Sequence, residues 1–207
     1  MLGFAAAVFF LIITPGPGVL STAGVGAGFG FRAGARYVTG LFLGNNLVAV
    51  MVVSGLAALV LADPRIRIVL FALSFGYLTY LALRIAFAGA RLAFIEKTQA
   101  PGVWGGILLQ IINPKAYAVS TALFTGFAFL PGSYLTEVAL KFVIMNAIWV
   151  PIHLAWLWAG VSVHRLNLSP RSHRVINIAM ASSMMLVVML CLPRSWQVTV
   201  TAHRLAL

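Results

Sequence analysis

The chain has 207 residues, of which 62% are hydrophobic and 8% charged, with a mean hydropathy of +1.03. A water-soluble domain carries roughly a quarter charged residues, and a chain this short has too little interior to hide so much apolar surface, so the composition excludes a soluble globular protein. The formal charge of +11 comes from fourteen Lys and Arg against Asp63, Glu96 and Glu137; the bases lie mostly between apolar runs, which suits anionic headgroups and excludes nucleic acid.

A bilayer core takes about 20 apolar residues per helix, and the charge-poor runs supply six. The first span is expected within Leu2–Ala27 and is interrupted near its middle by Thr14-Pro15-Gly16-Pro17. No basic segment precedes it, so it reads as a retained span and not a cleaved signal peptide. Arg32 and Arg36 link it to the second span, Val38–Ala62, which carries Asn45, Asn46 and a Gly40–Gly44 pair spaced for close helix packing. Asp63-Pro64-Arg65 and Arg67 form a tight turn before the third span, about Ile68–Ala90, with Arg84 near its end. The longest loop holds Arg91, Glu96, Lys97 and Pro101.

The fourth span, about Val103–Leu130, contains Asn113-Pro114-Lys115 and ends at Pro131-Gly132-Ser133. Span five covers Phe142–Val163, where Asn146, Val150 and His153 fall on one helical face and Pro151 is expected to kink the helix. Arg165 to Arg174 separate it from span six, Val175–Leu192. Cys191 is the one cysteine, so no disulfide framework or cysteine metal site forms within a chain. The tail beyond Pro193 leaves the membrane, with Trp196 suited to the interface. The eight bases Arg32, Arg36, Arg84, Arg91, Lys97, Arg165, Arg171 and Arg174 lie on one side, and the five bases Arg65, Arg67, Lys141, Arg194 and Arg204 on the other. The positive-inside rule then puts both termini outside the cytoplasm.

The two halves resemble each other. Leu11-Ile12-Ile13-Thr14-Pro15 aligns with Gln110-Ile111-Ile112-Asn113-Pro114 at an offset of 99, and Asn45 and Asn46 correspond roughly to Asn146. Each broken run is followed by two more spans; three spans per half is odd, so the halves enter the membrane from opposite sides. The expected fold is an all-α membrane protein of six helices, a 3+3 inverted repeat with proline-broken first and fourth helices. Its repeats are 1–97 and 98–193, and a tail covers 194–207.

Proline lacks an amide proton and leaves carbonyls without helical partners. Within hydrocarbon such breaks belong where protein or a water-filled cavity satisfies them. Splitting spans one and four gives half-helices of roughly 12–15 residues, about 18–22 Å each. Their ends offer free carbonyls and free amides to the two ends of a zwitterion. Lys115 follows Pro114 in a run with no other charge between Lys97 and Glu137. A lysine at that depth costs about 2.5–3.5 kcal/mol, and its natural partners are released carbonyls, Asn113 or a substrate carboxylate. Thr14, Pro15, Gly16, Pro17, Asn113, Pro114 and Lys115 are therefore the candidate substrate site. Asn46, Asn146 and His153 are candidate coupling or relay residues, with a simple interhelical hydrogen bond as the structural role of the histidine. No zinc-protease pair, Walker loop or carboxylate dyad occurs, so neither an enzyme nor a cofactor is expected.

Thr14-Pro15-Gly16-Pro17 and Asn113-Pro114-Lys115-Ala116 resemble the two signature segments of the LysE/RhtB family of bacterial amino-acid exporters, and Tyr77-Leu78 with Leu81 resembles a third. The resemblance covers nearly the whole chain. It implies efflux of amino acids or related small zwitterions across the bacterial inner membrane, driven by proton or cation antiport. The sequence departs from the family at Gly18 (usually Asn), at Ala82 (usually Gly) and at Asn146, where many members carry an acid. The partners implied are a small-molecule amino acid and the lipid bilayer; homo-oligomerisation is left open. The competing expectation is a non-transporting membrane subunit that acts by packing against a partner.

Overall fold

A computed structural model describes residues 1–86, 99–130 and 132–165, together with positions 172, 175, 178, 179 and 182. Among the described residues every regular element is helical and no strand occurs: α1 Leu2–Ile13, α2 Pro17–Val53, α3 Leu56–Ala62, α4 Pro64–Ala86, α5 Val103–Ile112, α6 Pro114–Gly126 and α7 Tyr134–Arg165. Two helices, Pro17–Val53 and Tyr134–Val163, are long and apolar enough to cross a membrane. The pair α5 and α6 makes a third candidate span, bent by 68° at Asn113. Span six apart from positions 175, 178, 179 and 182, the loop at 87–98, Pro131, Cys191, the tail and the bases Arg91, Lys97, Arg171, Arg174, Arg194 and Arg204 lie outside the described residues.

The prolines begin helices more than they kink them. Pro17 and Pro114 each occupy the first turn of α2 and α6, where the missing amide proton has no acceptor to lose and the fixed φ is already helical. The first break therefore ends α1 at Ile13 and starts α2 four residues later.

Between spans one and two the expectation fails. Arg32 and Arg36 do not form a link; both lie exposed on α2, which runs through them. The interruption is at Gly30, with φ 78° and ψ −178°, a backbone region essentially closed to residues with a Cβ. Arginines project from a helix as readily as from a loop, whereas only the glycine can take that conformation. The expected second span is likewise divided. α2 stops at Val53, Gly55 adopts a left-handed φ of 78°, and α3 carries Leu56–Ala62.

Span five starts earlier than hydropathy suggests, at Tyr134 and not Phe142. Glu137 and Lys141 pair at 2.8 Å within the helix, their side chains 10% and 3% exposed. The carboxylate also accepts hydrogen bonds from the amides of Phe129 and Leu130, and the Lys141 amine donates to the Phe124 carbonyl at 3.1 Å. The rings of Phe4 and Phe129 lie 6.0 and 5.7 Å from that amine, within cation–π reach. A charge count takes these residues for a loop; folded, they fasten the end of α6 to α7.

Among the described residues two large apolar clusters, with a smaller third at Val48, Ala57, Ala116 and Tyr117, build the interior. One joins Val25, Tyr37 and Leu41 of α2 to Leu78 and Leu81 of α4, Leu109 of α5, and Trp149 and Leu157 of α7. The other joins Phe4 and Val8 of α1 to Leu123 of α6 and Met145 of α7. Outside them, Leu2 is 89% exposed, Trp104 81% and Leu135 79%, a surface that lipid tolerates and water does not.

Gly40 and Gly44 serve close packing as the sequence suggests. A Cβ on Gly40 would stand 1.9 Å from the Val103 carbonyl oxygen, and one on Gly106 2.3 Å from that of Tyr37. The backbones of α2 and α5 touch. Gly40→Ala should accordingly lower thermal stability in detergent by the upper part of the range of about 1–3 kcal/mol for overpacking. Gly76→Ala, with nothing within 4 Å, should lower it not at all. Equal melting of both variants contradicts the contact.

Candidate functional site

Four helix ends converge where the two breaks meet. Thr14 closes α1, Gly16 opens α2, and Asn113 lies between α5 and α6. The Lys115 side chain reaches across from the start of α6 and donates a 2.6 Å hydrogen bond to the Thr14 carbonyl. Along the way it passes over Gly16, where a Cβ would stand 2.8 Å from its Cδ and 2.9 Å from its Nζ. The carbonyl released at the first break thus meets the ammonium supplied at the second. A charge-assisted bond of this kind is worth about 1.5–3 kcal/mol.

The two helix starts differ in their caps. Asn113 accepts a hydrogen bond at Oδ1 from the Lys115 amide (3.1 Å) and donates from Nδ2 to Gln110 Oε1 (3.2 Å). α6 is therefore capped. No side chain caps α2, whose residue before the helix is Gly16. The first-turn amides of Gly18 and Val19 carry the positive end of the helix dipole with no side-chain acceptor.

A cavity of about 50 Å³ occupies this junction, room for roughly three to five water-sized groups. Its polar lining includes Thr14, Asn45, Gln110, Asn113, Lys115 and His153, and its apolar wall includes Leu11, Ile12, Val19, Val119, Met145 and Trp149. Among the described lining residues there is no carboxylate.

Of the residues expected at a substrate site, Thr14, Gly16, Asn113 and Lys115 line the cavity. Pro15, Pro17 and Pro114 do not line it; they shape the breaks. Lys115 is partly buried, at the cavity and not in a sealed interior.

The coupling candidates separate. Asn46 and Asn146 exchange both amide hydrogen bonds, at 3.1 and 2.8 Å. His153 lies on the buried line of α7 instead, its ring stacked on Trp149 at 3.5 Å and 13°. Its Nδ1 is 3.0 Å from the Trp149 carbonyl, and its Nε2 is 3.5 Å from where a Cβ on Gly18 would be. Val150, placed by spacing on the same face, is 36% exposed; the inward face is carried by Met145, Trp149 and His153.

Sequence reasoning passed over Gln110, Asn45, Ser120 and Trp149 as lining residues. Gln110 did leave a signal, because it is a polar residue in an apolar run one turn before Asn113. Its counterpart in the repeat is Leu11, so aligning the halves hid it. Ser120 and Trp149 are ordinary residues of membrane helices and left none.

The sequence profile of the LysE type translocator family matches residues 9–193. An uncharacterized membrane protein of Pseudomonas aeruginosa is 32% identical over 133 residues, covering 60% of this chain and 62% of that one. Leucine efflux proteins of Salmonella typhimurium and of an Enterobacter species are each 25% identical, over 129 and 135 residues, covering 60% of this chain and 61% of theirs. The chain thus matches somewhat over three-fifths of the length of these curated relatives. No solved structure matches it.

A polar junction of this kind should be wet. Ser120, 2% exposed and lining the cavity, can be replaced by the near-isosteric cysteine in a Cys191→Ala background. A small water-soluble thiosulfonate reagent should label it in membranes; a residue that stays unlabelled while an exposed control reacts contradicts an accessible cavity.

Proposed function

This chain belongs to the LysE type translocator family, and on that premise we propose that it exports amino acids or related small zwitterionic metabolites across the bacterial inner membrane in exchange for a proton or another cation. It is a helical membrane transporter and not an enzyme. The observation that carries the proposal is the meeting of two broken helices at one polar cavity, with the Lys115 amine on the Thr14 carbonyl.

The chemistry divides by charge. A substrate carboxylate takes the Lys115 ammonium from Thr14 and docks against the start of α2, where Gly18 and Val19 line the cavity. Asn113, already fixed by Gln110 and the Lys115 amide, keeps α6 capped while the lysine changes partner. The aliphatic wall suits an apolar side chain, in keeping with the relatives described as leucine efflux proteins.

Contacts between corresponding residues support the proposed 3+3 inverted repeat of six spans, with halves 1–97 and 98–193, tail 194–207 and both termini periplasmic. Asn46 meets Asn146 at a separation of 100, one more than the repeat offset, and Thr14, the counterpart of Asn113, meets Lys115 two residues beyond it. Nearly equivalent positions touch only near the axis that relates the halves, as in any two-fold contact. Rocking one half against the other about that axis would expose the cavity to each face in turn. A non-transporting subunit, the competing reading, requires a dry, closed junction.

Efflux of radiolabelled leucine from proteoliposomes tests the assignment. Removing one charge-assisted contact worth about 2 kcal/mol should slow transport roughly thirtyfold in Lys115→Ala, with partial recovery in Lys115→Arg. Wild-type efflux in the alanine variant contradicts the role given to Lys115.

A further inference from the structure

We infer that His153 Nε2 is a single acceptor for which a proton and the amino group of the substrate compete, so that export proceeds as an exchange of one zwitterion for one proton. The inference rests on the amino-acid reading of the cavity and adds to it the group that couples the two fluxes.

The geometry fixes which nitrogen is available. A carbonyl oxygen only accepts, so the 3.0 Å contact with Trp149 gives Nδ1 the hydrogen of the neutral ring and leaves the lone pair on Nε2. That nitrogen faces Gly18 across the cavity: the absent side chain leaves a space 3.5 Å from Nε2 and 3.8 Å from Gln110 Nε2. The imidazole is held flat against the Trp149 indole, whose π face favours a cationic partner. The stack holds the ring with Nε2 toward Gly18.

Among the described lining residues no other group suits the task. α1, α2 and α5 turn no titratable side chain into it, and α6 turns in Lys115. The Asn46–Asn146 pair is closed on itself, and amides do not titrate. With no carboxylate among the described lining residues, the ammonium of a substrate has neutral acceptors only. Nε2 is the one that a proton can take away.

The cycle balances. On the cytoplasmic side, neutral His153 accepts a hydrogen bond from the substrate ammonium while Lys115 and the start of α2 hold the carboxylate. Once the cavity opens to the other face, a proton from that side binds Nε2. The imidazolium repels the ammonium, and the zwitterion leaves with its own protons unchanged. When the cavity faces the cytoplasm again, the next ammonium arrives as the proton departs to water. One proton enters for each zwitterion expelled, and no bond other than N–H forms or breaks.

Binding of leucine and of 4-methylpentanoate, the same molecule without its amino group, tests this on the purified wild-type protein from about pH 8 to about pH 5.5. Leucine affinity should fall as the imidazole protonates, approaching about tenfold per pH unit. The affinity of 4-methylpentanoate should not fall, since it has no ammonium to be displaced. In His153→Gln, which keeps a polar side chain that cannot titrate, the leucine profile should be flat. Parallel pH profiles for the two ligands in the wild type overturn the inference even where the variant does not fold, and a wild-type slope in His153→Gln overturns it as well. Failure of the wild type to bind either ligand overturns the amino-acid reading itself.

Discussion

A backbone carbonyl freed by a helix break needs a donor from a side chain or from cavity water, and left unsatisfied in hydrocarbon it costs several kcal/mol. In this chain the carbonyl of Thr14 is released where α1 ends, and the amine of Lys115 meets it at 2.6 Å. Each group removes the other's penalty. The lysine gains an acceptor, and the break gains a donor that a continuous helix would have supplied from its own backbone. This reciprocity holds the two interruptions together. It also explains why a proline, a glycine and a lysine can sit in apolar runs without unravelling them.

The remaining architecture keeps that junction in place while leaving it open. Backbone contact between α2 and α5 at Gly40 and Gly106 brings the second break up to the helix that starts at the first. α7 closes the third side, stacking His153 on Trp149 and placing both at the cavity. The buried pair of Glu137 and Lys141, with the Phe129 and Leu130 amides and the Phe124 carbonyl, ties the far end of α6 to α7. Since the carboxylate and the ammonium each find their hydrogen bonds within the cluster, neither is left as an uncompensated charge. Met145 of one apolar cluster and Trp149 of the other both line the cavity, and on the proposed reading rocking of one half against the other changes access to it. Strength and mobility thus reside in different contacts.

Much of this was legible in the residues, for identifiable reasons. Proline in an apolar run has one strong physical consequence, and both breaks fall where Pro15, Pro17 and Pro114 put them. The lone charge at Lys115 demanded a partner and has one. Gly40 and Gly44 carried a packing signal that the structure uses. Other features were hidden because hydropathy counts charges without knowing their neighbours. Glu137 and Lys141 read as a boundary, although paired they lie inside α7. Arg32 and Arg36 read as a link, although Gly30 is what interrupts the helix. Helical spacing joined Asn146, Val150 and His153, yet the helix turns Met145, Trp149 and His153 inward. The pairing of Asn46 with Asn146 depends on how the halves are oriented, which no local pattern reports.

The contact between the two breaks can be measured directly. With 15N at lysine Nζ and 13C at threonine carbonyls, the dephasing that solid-state NMR recoupling in lipid bilayers detects in the wild type and that Thr14→Ser removes reads the Lys115–Thr14 separation, apart from the signal of Lys141 beside Thr125. Strong dephasing is expected, with the amine one hydrogen bond away from the carbonyl. An uncoupled amine that exchanges freely at headgroup depth would separate the two breaks and remove the physical basis of the site.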